Sequence, residues 1–402
     1  MTQTLFHVVV LHHKESKTTA APLVGALRRA FEISPAATGG ESSMAPADPW
    51  SLVGFLACND PAEFEKRAGE IGRRALFVVL VSERMVDDPA WVAPLHFLAS
   101  ALPKGKDTGT RDALLFTTSA EAAERLPDTL KYRQVSEITA LGKEKSMRPY
   151  TLALQALHRA RLLLGVAPGK NQLKLFISHA KTDGLFLADA LRSLIAQVPG
   201  LADWYDAKDI ESGVEWSEEI EAAAANSVFI AIRTEAYDQR PVCRDEFEVA
   251  LAHGVPIVAV DALLQPNVAA SPLPFAAVPN VRIPDGNTHR VLIAALREHL
   301  RLLLTETLVA DQTPPEMPSA SWRIWPRLPT LSVIQQRAAL LKDREFWLLP
   351  RASDSPAEFT AARKWLDETK SLLRLEAVDS FILTAGTSNS GAAPVSSPTG
   401  TP

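Results

Sequence analysis

Residues 227–250 read SVFIAIRTEAYDQRPVCRDEFEVA. The run at 228–233, VFIAIR, is almost unbroken apolar sequence, the signature of a short strand covered on both faces. RPVCRDEFEVA, at 240–250, forms the helix that leaves this strand. It carries three carboxylates, Asp245, Glu246 and Glu248, and Cys243, one of only two cysteines in the chain. Acidic residues in the early turns of a helix are favoured by its macrodipole and commonly do nothing more. The alternative is that one of them lies at the floor of a site.

The same alternation continues on either side. LKLFISHA (173–180) reads as a strand, and GLFLADALRSLIAQV (184–198) as a helix with Leu187, Leu191, Leu194, Ile195 and Val198 at helical spacing. ADWYDAKDI (202–210) reads as a second strand, and ESGVEWSEEIEAAAANS (211–227) as a glycine loop running into a helix. HGVPIVAVDAL (253–263) and VPNVRIP (278–284) read as a fourth and a fifth strand, and HRVLIAALREHLRLLLTETL (289–308) as a closing helix. Strands alternating with helices imply a parallel sheet with helices on both faces. Sites in such sheets lie at the carboxyl ends of the strands, where SHAKTD, DAKDIESG and RTEAYDQRPVC fall.

The first 165 residues repeat the plan. FHVVVLHHKES parallels LKLFISHAKTD, pairing His12 with His179 and Lys14 with Lys181. ALFVVLVSERMVDDPAWVAPLHFLA parallels SVFIAIRTEAYDQRPVCRDEFEVALA without a gap at an offset of 152, so that Phe77 matches Phe229, Glu83 matches Glu235 and Trp91 matches Cys243. DALLFTTSA supplies a fourth strand, and LALQALHRARLLLG (152–165) ends on the same Arg-Leu-Leu-Leu as LIAALREHLRLLL (292–304). The copies differ where chemistry would sit: Pro94 stands opposite Glu246 and His96 opposite Glu248. ATGGESSMAPADP (37–49) reads as a loop where the second copy has Gly213-x-x-Trp216. The expected architecture is an internal duplication with GVAPGKN (165–171) as linker, the first copy having lost its site. Beyond it, DQTPPEMPSAS (311–321) reads as a linker. LSVIQQRAALLKDREFWLL and PAEFTAARKWLDETKSLLRLEAV read as two amphipathic helices of a small helical extension over 309–384, and 385–402 as a disordered tail. Trp322, Trp325, Trp347 and Trp365 are expected to anchor that extension on the preceding domain.

Composition excludes several classes. A chain of 402 residues that is 47% hydrophobic can bury sizeable cores, and a net charge of −5 gives no reason to expect nucleic acid or an anionic membrane as partner. Two cysteines far apart form neither a disulfide framework nor a zinc motif, and a reducing, cytoplasmic setting fits. MTQTLFHVVVLHHKES has too short an apolar core for a signal peptide, and no uninterrupted apolar run is long enough to span a membrane. There is no phosphate-binding glycine loop, no GxGxxG and no HExxH, so no metal site is expected.

Four pieces together carry a resemblance: LFISHAKTD, WYDAKDIESGVEWSEEIEAA, SVFIAIRTEAY, and CRDEFEVA followed by GVPIVAV. In that order they resemble a Toll/interleukin-1 receptor (TIR) domain of the bacterial type over about 171–305, and more weakly over 5–165. The resemblance implies two flavodoxin-like, five-stranded parallel sheets of order 2-1-3-4-5, a degenerate TIR-like copy at 1–165 and a TIR domain at 171–308. It implies cleavage of NAD+ at the nicotinamide–ribose bond with no separate cofactor. Activity would depend on self-association or contact with other TIR domains, with the first copy able to supply that contact within one chain. The setting implied is bacterial stress or antiviral signalling. The alternative in the same family is a non-enzymatic adaptor working through TIR–TIR contacts. A glycosyl transferase acting on another nucleotide is a third, weaker reading.

Carried onto this chain, Cys243-Arg244-Asp245-Glu246 fits the family's Cys-x-x-Glu, which makes Glu246 the catalytic candidate; Val242 stands where the family has Trp. One carboxylate suffices for this chemistry. Nicotinamide leaves as a neutral base without a general acid, and the carboxylate stabilises the oxocarbenium-like ribose more than the ground state. Cys243 and Glu246, three residues apart, share a helix face. Asp245 and Glu248 are expected to face solvent, and Cys243 to pack as a small hydrophobe beneath the site. Ser178 and His179 would line the cleft, although the copy of His179 at His12 favours a structural role. Trp216 could cover the dinucleotide or anchor the next helix. Asp206, after the second strand, could hold a ribose hydroxyl or be a solvated loop acid.

Overall fold

The computed structural model describes residues 4–31, 49–103, 110–131, 135–164, 173–198, 201, 204–205, 227–264, 275, 278–283, 285–312, 322–349 and 356–378. In chain order the first sheet's elements are β1 (Phe6–His12), α1 (Lys17–Ala30), β2 (Val53–Cys58), α2 (Pro61–Arg67), β3 (Ala75–Val81), α3 (Glu83–Asp87), α4 (Val92–Ala101), β4 (Arg111–Thr117), α5 (Ala120–Glu124), α6 (Asp128–Lys131), β5 (Val135–Glu137) and α7 (Arg148–Leu163). The second sheet follows with β6 (Lys174–His179), α8 (Leu185–Ile195), β7 (Trp204–Tyr205), β8 (Ser227–Arg233), α9 (Pro241–Ala252), β9 (Ile257–Asp261), β10 (Asn280–Arg282) and α10 (Thr288–Gln312). Both are five-stranded and wholly parallel, with orders β2-β1-β3-β4-β5 and β7-β6-β8-β9-β10. This is the 2-1-3-4-5 order of a flavodoxin-like fold. The central strands are buried along their length, every residue of β3 included, because helices cover both faces.

The two sheets also share a register. β3 at 75–81 and β8 at 227–233 differ by 152 at both ends. His12 pairs with Leu80 as His179 pairs with Ile232, again 152 apart on β3 and β8. Two strands of the first sheet escaped the sequence reading: β2, whose Val-Gly-Phe-Leu-Ala-Cys is short and broken by Gly54, and β5, only three residues long. A Cβ at Gly54 would lie 2.6 Å from the His7 ring on β1, so any larger residue there would force that ring to move.

The two sheets are not separate beads but form one compact unit, Met1–Leu304. One face of each contributes to a single apolar core: Phe6, Val8 and Val10 of β1 and Leu76, Val78 and Leu80 of β3 on one side, Leu175 and Ile177 of β6 and Val228, Ile230 and Ile232 of β8 on the other. Between them lie α1, α7, α8 and α10, through residues such as Leu27, Leu157, Leu191 and Leu296. Helix α7 turns a broad apolar face into this core, burying Ala153, Leu154, Ala156, Leu157 and Ala160, and it buries His158 and Arg161 as well. The opposite faces have their own cores. Val9, Leu11, Phe77 and Val79 pack with Phe64, Trp91 and Leu95 beneath the first sheet. Phe176, Phe229 and Ala231 pack with Phe247 and Ala250 of α9 beneath the second.

The second compact unit begins at Thr305. It is not the helical extension that the sequence suggested. It has three parallel strands, β11 (Trp322–Ile324), β12 (Glu345–Leu349) and β13 (Leu373–Ala377), in that order, joined by α11 (Leu331–Leu340) and α12 (Pro356–Glu368). Each stretch read as one helix is a helix followed by a strand. EFWLL and LRLEA are too short to show a period of their own once read in a helical window, and their alternation puts Trp347, Leu349, Leu373 and Leu375 on the core face. Trp325 and Trp347, expected to anchor the extension elsewhere, stack 4.3 Å apart within that core.

The turn ending α12 is a Schellman motif, with Ser371 N–H donating to Leu366 O at 3.0 Å and Lys370 N–H to Asp367 O at 3.1 Å. Its left-handed residue is Lys370, at φ 51°, where glycine is the unstrained choice. Lys370→Gly should therefore raise the stability of this unit by about 0.5–1 kcal/mol in chemical denaturation. An unchanged or lower midpoint would remove strain at Lys370 from the account.

Candidate functional site

Strand alternation decides which residues meet at the carboxyl ends of the second sheet. Phe176 and Ser178 point to the α9 face, Leu175 and Ile177 to the shared core. Helix α9 begins with Pro241 in its first turn, where a missing N–H is harmless. It buries Cys243, Glu246, Phe247 and Ala250, a three-to-four spacing that turns one face inward. Asp245 and Glu248 are exposed, as expected.

Glu246 is only 8% exposed. The Ser178 Oγ lies 2.5 Å from its Oε2, and the Tyr237 hydroxyl lies 2.9 Å from the same Oγ. Proton counting orders these contacts. An ionised carboxylate only accepts, so Ser178 donates to Glu246, and Tyr237 then donates to Ser178. The Cys243 carbonyl, 3.4 Å from the Tyr237 hydroxyl, is a longer alternative acceptor for the same proton. Tyr237 is fully buried among Phe247 and Phe275, and burial holds its phenol well above the usual range.

A second contact ties the loops around the site. Asp183, beyond the end of β6, accepts from Thr234 Oγ1 at 2.7 Å and from Ala236 N–H at 3.0 Å. It thus joins the β6–α8 loop to the turn holding Tyr237. Arg233, at the end of β8, stacks over Phe275 at 5.0 Å.

The residues expected to form the site are brought together only in part. Ser178 and Glu246 touch, but Ser178 serves the carboxylate as a donor. Cys243 is buried beneath. His179 is half-buried at the end of β6. Asp206 and Trp216 lie outside the described residues, as does Gly213. Tyr237 was not singled out: a lone Tyr in RTEAYDQRP carries no periodic signal, and only its place between strand end and helix points to it. Among the described residues no cluster of His, Cys, Asp and Glu could hold a metal.

The Cys243 thiol is pushed up to about 11, by burial first and by the Glu246 charge second, and burial likewise raises Cys58 to about 11. Thiolate is the reactive form, so the native chain should give no rapid thiol titre near neutral pH, and two thiols after unfolding. A native titre of one at Cys243 would show an activated thiol and reverse this reading.

The segments through which the first copy would reach the cleft, 32–48 and 206–226, lie outside the described residues. The first sheet packs on the α8 and α10 side of the second, while Glu246 and Ser178 lie on the α9 side.

Residues 175–283 match the family of TIR domains. That span covers most of the second sheet, which therefore carries a TIR domain. The match ends there and does not extend over the first sheet. A comparison with curated proteins gives no match. Among solved structures, the chain is similar to a provisionally assigned phosphosugar isomerase from Silicibacter pomeroyi DSS-3, at 12% identity over 76% of this chain and 86% of that one, with a TM-score of 0.21. It is also similar to tagatose-6-phosphate ketose/aldose isomerase from Escherichia coli, at 12% identity over 78% and 85%, with a TM-score of 0.20. Likeness at that level supports no argument about fold or activity. A TIR domain at 175–283 supports a signalling or other TIR-type function. Among the described residues no helix is long and apolar enough to cross a membrane.

Proposed function

We propose that the TIR domain of this chain is an NAD+ glycohydrolase. It would cleave the nicotinamide–ribose bond to release nicotinamide and ADP-ribose or a cyclic form of it. The observation that supports this most is the buried carboxylate of Glu246 at the carboxyl ends of the strands, hydrogen-bonded by Ser178. Breaking the glycosidic bond leaves its electron pair on nicotinamide nitrogen and a positive charge on ribose. A fixed carboxylate beside that carbon stabilises the charge as it develops, most strongly where water is scarce. Water, or the adenine ring in cyclisation, then supplies the new bond and gives up a proton.

The first sheet is read as a duplicated copy without the site. Since it covers the α8 and α10 face, assembly-dependent activity would draw on a second chain. The family resemblance extends the reading to stress or antiviral signalling in the bacterial cytoplasm. Purified full-length chain incubated with NAD+ over a range of protein concentrations should release nicotinamide with a rate per molecule that rises with concentration. No release at any concentration leaves the adaptor reading, TIR–TIR contact without chemistry.

A further inference from the structure

The pairing of β1 with β3 and of β6 with β8 sets the equivalent of each site residue in the first sheet. Ser178 pairs with Ala231 and Leu11 with Val79, and those partners are 152 apart. Leu11 therefore holds the place of Ser178. At the same offset Met85 holds the place of Tyr237, and Pro94 that of Glu246. Leu11, Met85 and Pro94 are all apolar and buried. The same fold thus packs these three positions without a polar atom, and all three change together. A buried polar network that is only partly satisfied is worse than an apolar core, so its members should be kept or lost as a set.

We infer that Tyr237 and Ser178 are positioning residues for Glu246. Tyr237 donates to Ser178, Ser178 donates to the carboxylate, and this chain fixes the angle at which the carboxylate meets the ribose. Neither residue need touch substrate, and no proton moves along the chain during the reaction. The inference rests on reading Glu246 as the reactive carboxylate. It places Ser178 in a different role from that of a ligand-binding residue, and it adds Tyr237, which no motif indicated. Asp183 supports the arrangement from outside by holding the turn that carries Tyr237.

The test is a double-mutant cycle in full-length protein on NAD+ turnover. Tyr237→Phe removes one oxygen and keeps the ring that packs against Phe275. It should lower kcat on the order of 10-fold, the worth of one hydrogen bond, with KM unchanged. Ser178→Ala should lower kcat about 100-fold through a misplaced carboxylate. The double variant should equal Ser178→Ala alone, because without Ser178 the Tyr237 hydroxyl no longer reaches the carboxylate. Effects that multiply in the double variant, or a change confined to KM, overturn the inference.

If wild type releases no nicotinamide, the functional reading fails but the chain of donors is still testable. A hydroxyl held 2.5 Å from a carboxylate oxygen should give a slowly exchanging downfield proton signal at low temperature. Ser178→Ala should abolish the signal and Tyr237→Phe should shift it. Its absence from wild type, or indifference to Tyr237→Phe, overturns the inference independently of activity.

Discussion

Glu246→Gln should reduce nicotinamide release from NAD+ by about 100- to 1,000-fold, the usual loss when one preorganised electrostatic group is removed from a site. The substitution is close to isosteric. A glutamine carbonyl can still accept from Ser178 at the 2.5 Å contact, so packing of α9 should be unchanged and the melting temperature should stay near that of wild type. What disappears is the negative charge facing the ribose carbon, so the loss should fall on kcat rather than on KM. Asp245→Asn and Glu248→Gln on the same helix, both at exposed positions, should leave turnover within a few-fold. A glutamine variant that keeps wild-type turnover would remove Glu246 from the chemistry. A variant that loses turnover by unfolding would show it in the melting curve.

Leu157→Asp is expected to unfold both sheets at once. Leu157 is fully buried in α7, inside the core that joins the first sheet to the TIR domain. The change deletes a large apolar side chain and places an unpaired carboxylate among aliphatic groups. Each effect alone is among the few that destabilise strongly, and together they should exceed about 4 kcal/mol. Because Leu175, Ile177, Val228 and Ile230 of the TIR sheet belong to the same core, hydrogen-exchange protection should fall in β6 and β8 as well as in β1 and β3. Loss confined to β1 and β3 would mean the sheets are independent. The second compact unit, from Thr305 on, has its own core around Trp325 and Trp347, so its protection is the internal control.

The strands were legible because parallel strands buried on both faces leave apolar runs with few rivals, as VFIAIR and FHVVVLH show. Their order followed from the resemblance, and the likeness of β3 to β8 from their ungapped offset of 152. Glu246 could be selected among three neighbouring acids only through that resemblance; helix spacing then agreed with its burial. Tyr237 was not legible, since its role depends on a contact across 59 residues with Ser178. Nor was the shared core. Periodicity shows that α7 and α8 have apolar faces but not what covers them, and tandem domains would show the same pattern. In the last unit, short strands following directly on amphipathic helices were absorbed into the helical reading.

The shared core also bears on how the chain is made. Synthesis completes the first sheet at α7, near Leu163, but α8 and α10 arrive later, the core being closed only near Leu304. At about 5–20 residues per second, the intervening stretch takes roughly seven to thirty seconds to emerge from the ribosome. Throughout that interval a nascent half-molecule displays the aliphatic surface of α1 and α7 to the surrounding water. The yield of this chain should therefore depend on chaperones that shield such surfaces more steeply than that of a protein whose domains close one at a time.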